Sequence, residues 1–128
     1  MNTIIFFQSL GRDWSPEYWA VSHGASQGEY GEFVVESFGG WISVSRDPNV
    51  LDDYESDEAA VVRKAIPTFE AYVIEWRGGG LIDDLLSSIP AEHFALIDND
   101  HGLVVSIDRV RGLPLDSWIK ADRLPVNF

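Results

Sequence analysis

The chain has 128 residues, of which 45% are apolar and 12% aromatic, so it can bury one hydrophobic core. It contains no cysteine, which excludes disulfide bonds and thiolate metal sites. With 21 acidic and 9 basic residues its formal charge is −12, which disfavours binding to nucleic acid or anionic membranes. The charge favours a basic protein as partner, although acidity also serves simply to keep a protein soluble.

The sequence predicts a single domain over residues 1–128, because it contains neither an internal repeat nor a linker. No apolar run approaches the roughly 20 residues of a membrane-spanning helix. The apolar run at residues 4–7 lacks the basic leader and the small-residue cleavage site of a signal peptide. We therefore expect a cytoplasmic protein.

The N-terminal segment predicts a strand followed by a helix. Residues 3–8 are β-branched and aromatic without alternation, which is typical of an interior strand covered on both faces. Ser15 before Pro16 has the composition of a helix start, so a helix is predicted over residues 16–23. Gly24 is expected to end it.

A hairpin is predicted next. Residues 24–31 contain three glycines among polar residues and predict a loop. Residues 33–37 and 41–45 then form two strand-like runs around Gly39 and Gly40. Such a glycine pair suits a tight hairpin turn.

The middle of the chain combines an acidic span, residues 46–58, with a second helix. Ser56 is predicted to cap a helix that begins at Asp57 and carries its apolar residues at three- and four-residue steps. Its acids lie at the positive end of the helix dipole and its bases near the negative end. Pro67 is expected to stop the helix.

A central strand and a third helix follow. Residues 69–76 are mainly aromatic and β-branched, which predicts a central strand. The apolar residues from Ile82 to Ile89 recur at the i, i+3, i+4, i+7 spacing of a helix. Pro90 is expected to end that helix.

The C-terminal part predicts a second hairpin, with strands at residues 93–98 and 103–108 joined by a four-residue turn. Residues 115–124 suit either a brief helix or an edge strand. Because the strands outnumber the helices and adjoin as hairpins, we predict an α+β fold with a mainly antiparallel sheet and two to three short helices packed on one of its faces.

Two motifs admit a chemical or a structural interpretation. Asp98, Asp100 and His101 lie close enough in sequence to touch one metal ion, but a turn with backbone-bonding Asp and Asn side chains has the same composition. Residues 77–80, Arg-Gly-Gly-Gly, precede a helix as phosphate loops do, but lack their Lys and Ser/Thr. We favour the turn and a glycine bend for close packing.

No catalytic constellation is apparent. His23, His93 and His101 are each able to act as a general base. Ser22 is adjacent to His23 in a predicted helix, so the two side chains are expected to point in different directions. We therefore predict no enzyme activity, no catalytic residue, no cofactor and no metal ligand.

The acidic span is the feature that best fits a binding surface, since it places an aromatic side chain among carboxylates that can meet Lys and Arg. The alternative is a solvated loop and helix start. The predicted partner-binding residues are Asp52, Asp53, Tyr54, Glu55, Asp57 and Glu58.

Four further aromatic residues are candidates for an exposed patch, although most Trp side chains in a domain of this size belong to the core. They are Trp14, Tyr18, Trp19 and Trp41.

In size, acidity, lack of cysteine and lack of a catalytic motif, the chain resembles the small acidic immunity proteins of bacterial toxin/immunity pairs, including those of contact-dependent growth inhibition. The resemblance implies a monomer that binds a cognate toxin domain one to one and neutralises it. Because an enzyme that binds phosphates must have a basic surface, a nuclease-like toxin would favour an acidic inhibitor.

Two other functions are consistent with the same sequence features. One is a phosphate mimic that occupies a nucleic-acid-binding protein outside any toxin pair, since it would use the same charge. The other is a small enzyme whose catalytic residues are dispersed along the sequence. Identification of the partner would distinguish a phosphate mimic from a toxin inhibitor. A deep pocket lined by His93 or His101 would favour the enzyme.

Overall fold

A computed structural model describes residues 2–124. The strands within that range are β1 (Asn2–Ser9), β2 (Ser26–Gln27), β3 (Phe33–Ser37), β4 (Gly40–Arg46), β5 (Phe69–Arg77), β6 (Ala95–Asp98) and β7 (Val104–Ser106). They form one antiparallel sheet in the order β2-β3-β4-β5-β1-β6-β7. The predicted interior position of β1 is confirmed, because β1 pairs with β5 on one side and with β6 on the other.

Three of the four described α-helices lie between strands along the chain, and the fourth follows the last strand. They are α1 (Pro16–Ser22), α2 (Ser56–Ala65), α3 (Gly80–Ser87) and α4 (Ile107–Val110), with 3-10 turns at Val50–Asp53 and Leu115–Ser117. The predicted α+β class with helices packed on an antiparallel sheet is confirmed. None of the helices described in residues 2–124 has the length and apolar character needed to span a membrane.

The sheet is covered on both faces, so the prediction that the helices share one face is wrong. Phe6 of β1 packs with α1 and α3 in a first core, which also contains Trp19, Ile82 and Leu85. Phe7 points to the opposite face and packs with α2 in a second core. The other buried members of the second core are Val50, Leu51, Ala59, Val62, Ile66, Ala71 and Leu96. Consecutive apolar residues in β1 require cover on both sides, and α2 supplies the second layer.

The helix start signals give one confirmed and one corrected prediction. Ser15 caps α1, since its hydroxyl accepts a hydrogen bond from the Tyr18 amide at 3.0 Å. Ser56, however, is the first residue of α2 and not its cap. The Glu55 carbonyl already accepts the Ala59 amide at 2.9 Å, so the helix begins one residue earlier than predicted.

Other elements also differ from the prediction. The predicted loop at residues 24–31 contains the short strand β2, which pairs with β3. The strand predicted over residues 103–108 ends at Ser106, and the next four residues form α4. Ile89 is buried but lies beyond the last residue of α3. Of the two alternatives for residues 115–124, the described part contains a 3-10 turn and no strand.

Glycine allows the β3–β4 turn to contact the end of β5. Gly39 has a φ of +92° in the turn, as the predicted hairpin requires. A Cβ atom at Gly40 would lie 2.2 Å from the Arg77 carbonyl oxygen, and one at Gly78 would lie 2.8 Å from the Gly39 carbonyl oxygen. The glycines at this contact therefore permit close backbone packing, which is the structural interpretation of residues 77–80.

Substitution of Leu85 tests the packing of α3 on the first core. Leu85 is completely buried, so Leu85→Ala is expected to lower the free energy of unfolding by about 2–5 kcal/mol through loss of contacts and creation of a cavity. Chemical denaturation measures the change. Val61→Ala is the control, because Val61 is 57% exposed and its truncation is expected to cost no more than about 0.5 kcal/mol. Equal losses in the two variants would contradict the placement of Leu85 in the core.

Candidate protein-binding site

Half of the predicted partner-binding residues line one open cleft. The acidic span folds into the 3-10 turn Val50–Asp53 and the start of α2, and this segment lies beside the β6–β7 hairpin. The cleft, called the acidic cleft below, has a volume of about 260 Å³ and is lined by Asp53, Tyr54, Glu58, Asp98, Asp100, Gly102 and Val104. The remaining predicted residues, Asp52, Glu55 and Asp57, are exposed outside this lining.

Tyr54 is held in a fixed orientation in the acidic cleft. Its ring packs edge-on against Phe7, with 6.3 Å between ring centroids, and its hydroxyl donates a hydrogen bond to the Asp98 carboxylate. Burial, followed by the hydrogen bond to Asp98 and the nearby negative charges, raises the pKa of Tyr54 well above its ordinary value. The phenol therefore remains a neutral donor, and Tyr54 both packs against the second core and lines the cleft.

The β6–β7 turn is fixed by its own side chains. The Asp98 carboxylate accepts the Asp100 amide at 2.8 Å, and the Asn99 side-chain oxygen accepts the amides of His101 and Leu103 at 2.9 and 3.1 Å. These bonds confirm the interpretation of this segment as an Asp/Asn turn. They also hold Asp98 and Asp100 beside the acidic cleft.

The lining of the acidic cleft carries four carboxylates and, within the described residues, no basic side chain. Carboxylates in this position can bind Lys or Arg side chains through charge-assisted hydrogen bonds. Across residues 2–124, no three His, Asp or Glu side chains come together in an arrangement that could hold a metal ion. The cleft thus combines an aromatic ring with carboxylates, which are groups that can bind a cation.

Sequence reasoning did not place Asp98 and Asp100 in the site. The two residues stood out as part of a turn or metal motif, 40 or more positions away from Tyr54 in sequence. Their proximity to Tyr54 depends on the pairing of β6 with β1, because this pairing places Asp98 opposite Ile5, near Phe7. No local pattern contains that information.

Comparison with protein-family models, with curated proteins and with solved structures gave no match. The geometry and charge of the acidic cleft therefore carry the functional inference.

His93, a candidate general base in the sequence, belongs to a buried polar network. Its Nε2 lies 2.8 Å from the side-chain oxygen of Gln8 and donates a hydrogen bond to it. The Gln8 amide nitrogen donates to the Trp14 carbonyl at 3.0 Å and to Glu70 at 3.2 Å. Gln8 and His93 are both buried, so this network joins β1 to the segment before α1 and to the segment before β6.

The network continues to the surface through Tyr72. The Tyr72 hydroxyl donates to Glu70 at 2.8 Å and accepts from Arg46 at 3.2 Å, and Arg46 also forms an ion pair with Glu17 of α1 at 3.2 Å. Burial and then the hydrogen bond to Glu70 raise the pKa of Tyr72 to about 12. Every described buried side-chain polar atom has a partner, and this network is fully satisfied.

Ser22 and His23 are closer together than predicted, but the arrangement does not activate the serine. Ser22 Oγ lies 3.2 Å from His23 Nδ1, and His23 Nε2 lies 2.8 Å from Asp84. His23 Nδ1 also lies 2.8 Å from the Trp19 carbonyl oxygen, to which Ser22 Oγ donates at 2.7 Å. The Ser22 hydroxyl proton is therefore directed to the Trp19 carbonyl oxygen and not to His23. The group connects α1 to α3.

The four aromatic candidates for an exposed patch are separated in the fold. Trp19 is buried in the first core, and Trp14 packs against the same core. Tyr18 is 61% exposed on α1. Trp41 lies half-buried on β4, in neither core among the described residues. They do not form one patch.

The buried His93 makes stability depend on pH. Burial first, and then the charges of Arg12 and Arg111, lower the pKa of His93 below its ordinary value, so the folded protein keeps the ring neutral. The unfolded chain takes up a proton below a pH of about 6.5, and folding stability should therefore fall as the pH decreases through that value.

Substitution by glutamine, which can still donate to Gln8, isolates this contribution. The expected result is that His93→Gln loses less unfolding free energy than wild type between about pH 7.5 and pH 5, as measured by denaturation at each pH. His101→Gln controls for the removal of an exposed imidazole. Parallel pH profiles for wild type and His93→Gln would contradict the prediction.

Proposed function

We propose that the protein is a cytoplasmic inhibitor that binds a basic protein partner at the acidic cleft, as an immunity protein binds a nuclease-like toxin domain. The observation that carries this proposal is the position of Tyr54, fixed by Phe7 and Asp98 within an open cleft whose described charged groups are all carboxylates. The expected assembly is a one-to-one complex of two monomers.

The physical properties of Tyr54 support a role as an anchor. Tyr provides a large contact area with little rotamer entropy to lose on binding, and here the ring is already held by Phe7 and Asp98. The surrounding carboxylates supply the complementary charge for Lys or Arg. Such groups raise the association rate, while a buried anchor chiefly slows dissociation.

The charge of the whole chain supports the same class of partner. At −12 the protein attracts a basic surface over about one Debye length, roughly 8–10 Å at ordinary salt. Nucleases and nucleic-acid-binding proteins carry such surfaces because they bind phosphates. A phosphate mimic would use the same carboxylates, and the identity of the partner decides between a toxin domain and another nucleic-acid-binding protein.

The first experiment is affinity capture from the native source. Immobilised wild-type protein is compared with a variant in which the five acidic residues of the predicted site are neutralised to Asn or Gln, namely Asp52, Asp53, Glu55, Asp57 and Glu58. A basic protein that is retained by wild type and lost with the variant is the candidate partner, and an assay of its activity with and without inhibitor tests neutralisation directly.

Rate measurements with the purified partner then separate steering from anchoring. Neutralisation of the five carboxylates is expected to slow association and to flatten its dependence on salt. Tyr54→Ala is expected to speed dissociation by lowering its free-energy barrier by about 1–3 kcal/mol. Tyr54→Phe is expected to dissociate at a rate between those of Tyr54→Ala and wild type, because its ring still packs on Phe7. Surface plasmon resonance at low and high salt measures both rates.

A charge-matched control separates the site from the overall charge. It neutralises five exposed carboxylates elsewhere on the chain, namely Asp13, Glu29, Asp83, Glu92 and Asp116. Both variants change the net charge equally, so only a local role makes the site variant bind more slowly than the control. If the folded site variant and the control have the same rates at every salt concentration, the acidic span is a solvated surface and the proposed site is wrong.

A further inference from the structure

Part of the sheet face that carries α2 is left open by the described residues. Across the strands, Arg77, Trp41 and Glu36 form one row, and Thr3, Glu75, Ser43 and Val34 form the next. Side chains in these rows share a face with Phe7 because strand residues alternate between faces. Within residues 2–124, however, Trp41 and Val34 belong to neither hydrophobic core, and both remain partly exposed.

Trp41 is the largest side chain of this open face. Its cross-strand neighbours are Glu36 on β3 and Arg77 on β5, both exposed. A partly exposed Trp beside small and polar residues is typical of an interface anchor, since it can still bury a large apolar area on binding. Ser43, two residues further along β4, presents only a small side chain and leaves space in the next row.

The open face continues directly into the acidic cleft. The third row along the strands contains Ser45, Val73, Ile5, Asp98 and Val104 in cross-strand order. Asp98 accepts the hydrogen bond from Tyr54, and Val104 lines the cleft. Ile5 and Val73 pack against the second core but remain partly exposed, so this row connects the acidic cleft to the open face.

Resting on the proposed function, we infer that the open face is part of the same interface and that it binds an extended, basic segment of the partner. Trp41 on β4, Glu75 on β5 and Ile5 on β1 are diagonal cross-strand neighbours about 7–8 Å apart, which is close to the distance between alternate side chains of an extended chain. The rows offer apolar contact at Trp41, a carboxylate at Glu75, and apolar contact again at Ile5. The segment that fits has apolar and basic side chains alternating on one face.

Charge selects this occupant over a second copy of the chain. Among residues 2–124, the open face and its margin carry Glu36, Glu75 and Asp98 against one guanidinium, Arg77. Two copies stacked through this face would bring these carboxylates together, and each copy has a formal charge of −12. A basic segment meets complementary charge at the same positions.

The test is titration of isotope-labelled protein with a synthetic peptide of repeated Leu-Ser-Lys-Ser units. Changes in the amide NMR chemical shifts report binding. A peptide of repeated Leu-Ser-Glu-Ser units is the control. The lysine peptide is expected to shift amides of β3, β4 and β5, and Trp41→Ala is expected to weaken its binding about tenfold. Tyr18→Ala, which removes an exposed aromatic ring from α1 on the opposite face, is expected to leave binding unchanged.

A pair of substitutions at Ser43 tests the same face without removing Trp41. Ser43→Lys places a cation in the middle row and is expected to weaken binding of the lysine peptide, whereas Ser43→Glu, of similar bulk, is expected to preserve it. If both weaken binding equally, or if the shifted amides lie on α1 or nowhere, the inference is overturned. Concentration-dependent dimerisation of the free protein that Trp41→Ala abolishes would assign the face to a second copy instead and would overturn it as well.

The outcomes for the two sites are separable. One outcome is that the Trp41 and Ser43 variants bind the lysine peptide as wild type does, while neutralisation of Asp53 and Glu58 still slows the partner's association. That result would support the acidic cleft as a binding site and would contradict the role of the open face. If the Trp41 and Ser43 effects appear as expected and the cleft variants leave the partner's rates unchanged, the open face stands and the proposed cleft site is wrong.

Discussion

The pairing of β1 with β5 is the constraint on which the rest of the structure depends. The two strands pair over the full length of β1, from Asn2 opposite Trp76 to Ser9 opposite Phe69. This register sends Phe6 into the first core and Phe7 into the second. It also leaves the other edge of β1 free to pair with β6, which brings Asp98 to Tyr54. The cores and the acidic cleft are thus consequences of one strand pair.

Signals that act over a few residues were sufficient to predict much of the fold. Ser15 before Pro16 predicted the start of α1, the glycines at positions 39 and 40 predicted the first hairpin, and the Asp/Asn composition of residues 98–100 predicted the second turn. In each case the atoms that satisfy the backbone lie within a few positions of the group that needs them. Such interactions can therefore be predicted from the local sequence.

The features that sequence reasoning missed depend on distant parts of the chain. The apolar run of β1 indicated cover on both faces, but no local pattern shows that α2 is the element on the second face, since any amphipathic helix is able to pack on either side. Tyr54 was predicted as an aromatic residue among carboxylates, whereas the two carboxylates of the second hairpin that complete the cleft come from strand pairing. One local difference is the start of α2, which begins at Ser56 and not at Asp57 because the Glu55 carbonyl already accepts the Ala59 amide.

Gln8 has a consequence for how the chain selects its fold. The run Ile4-Ile5-Phe6-Phe7 is apolar on both faces, so burial alone would tolerate a slip of β1 by one residue against β5. Such a slip would turn Gln8 to the face of α2, away from His93, the Trp14 carbonyl and Glu70, and would leave its amide without those partners. An unpaired amide in a core costs about 1–3 kcal/mol, to which the orphaned His93 would add. One polar residue thus fixes the register of a strand that its apolar residues leave ambiguous, and the geometry of the cleft around Tyr54 depends on that register.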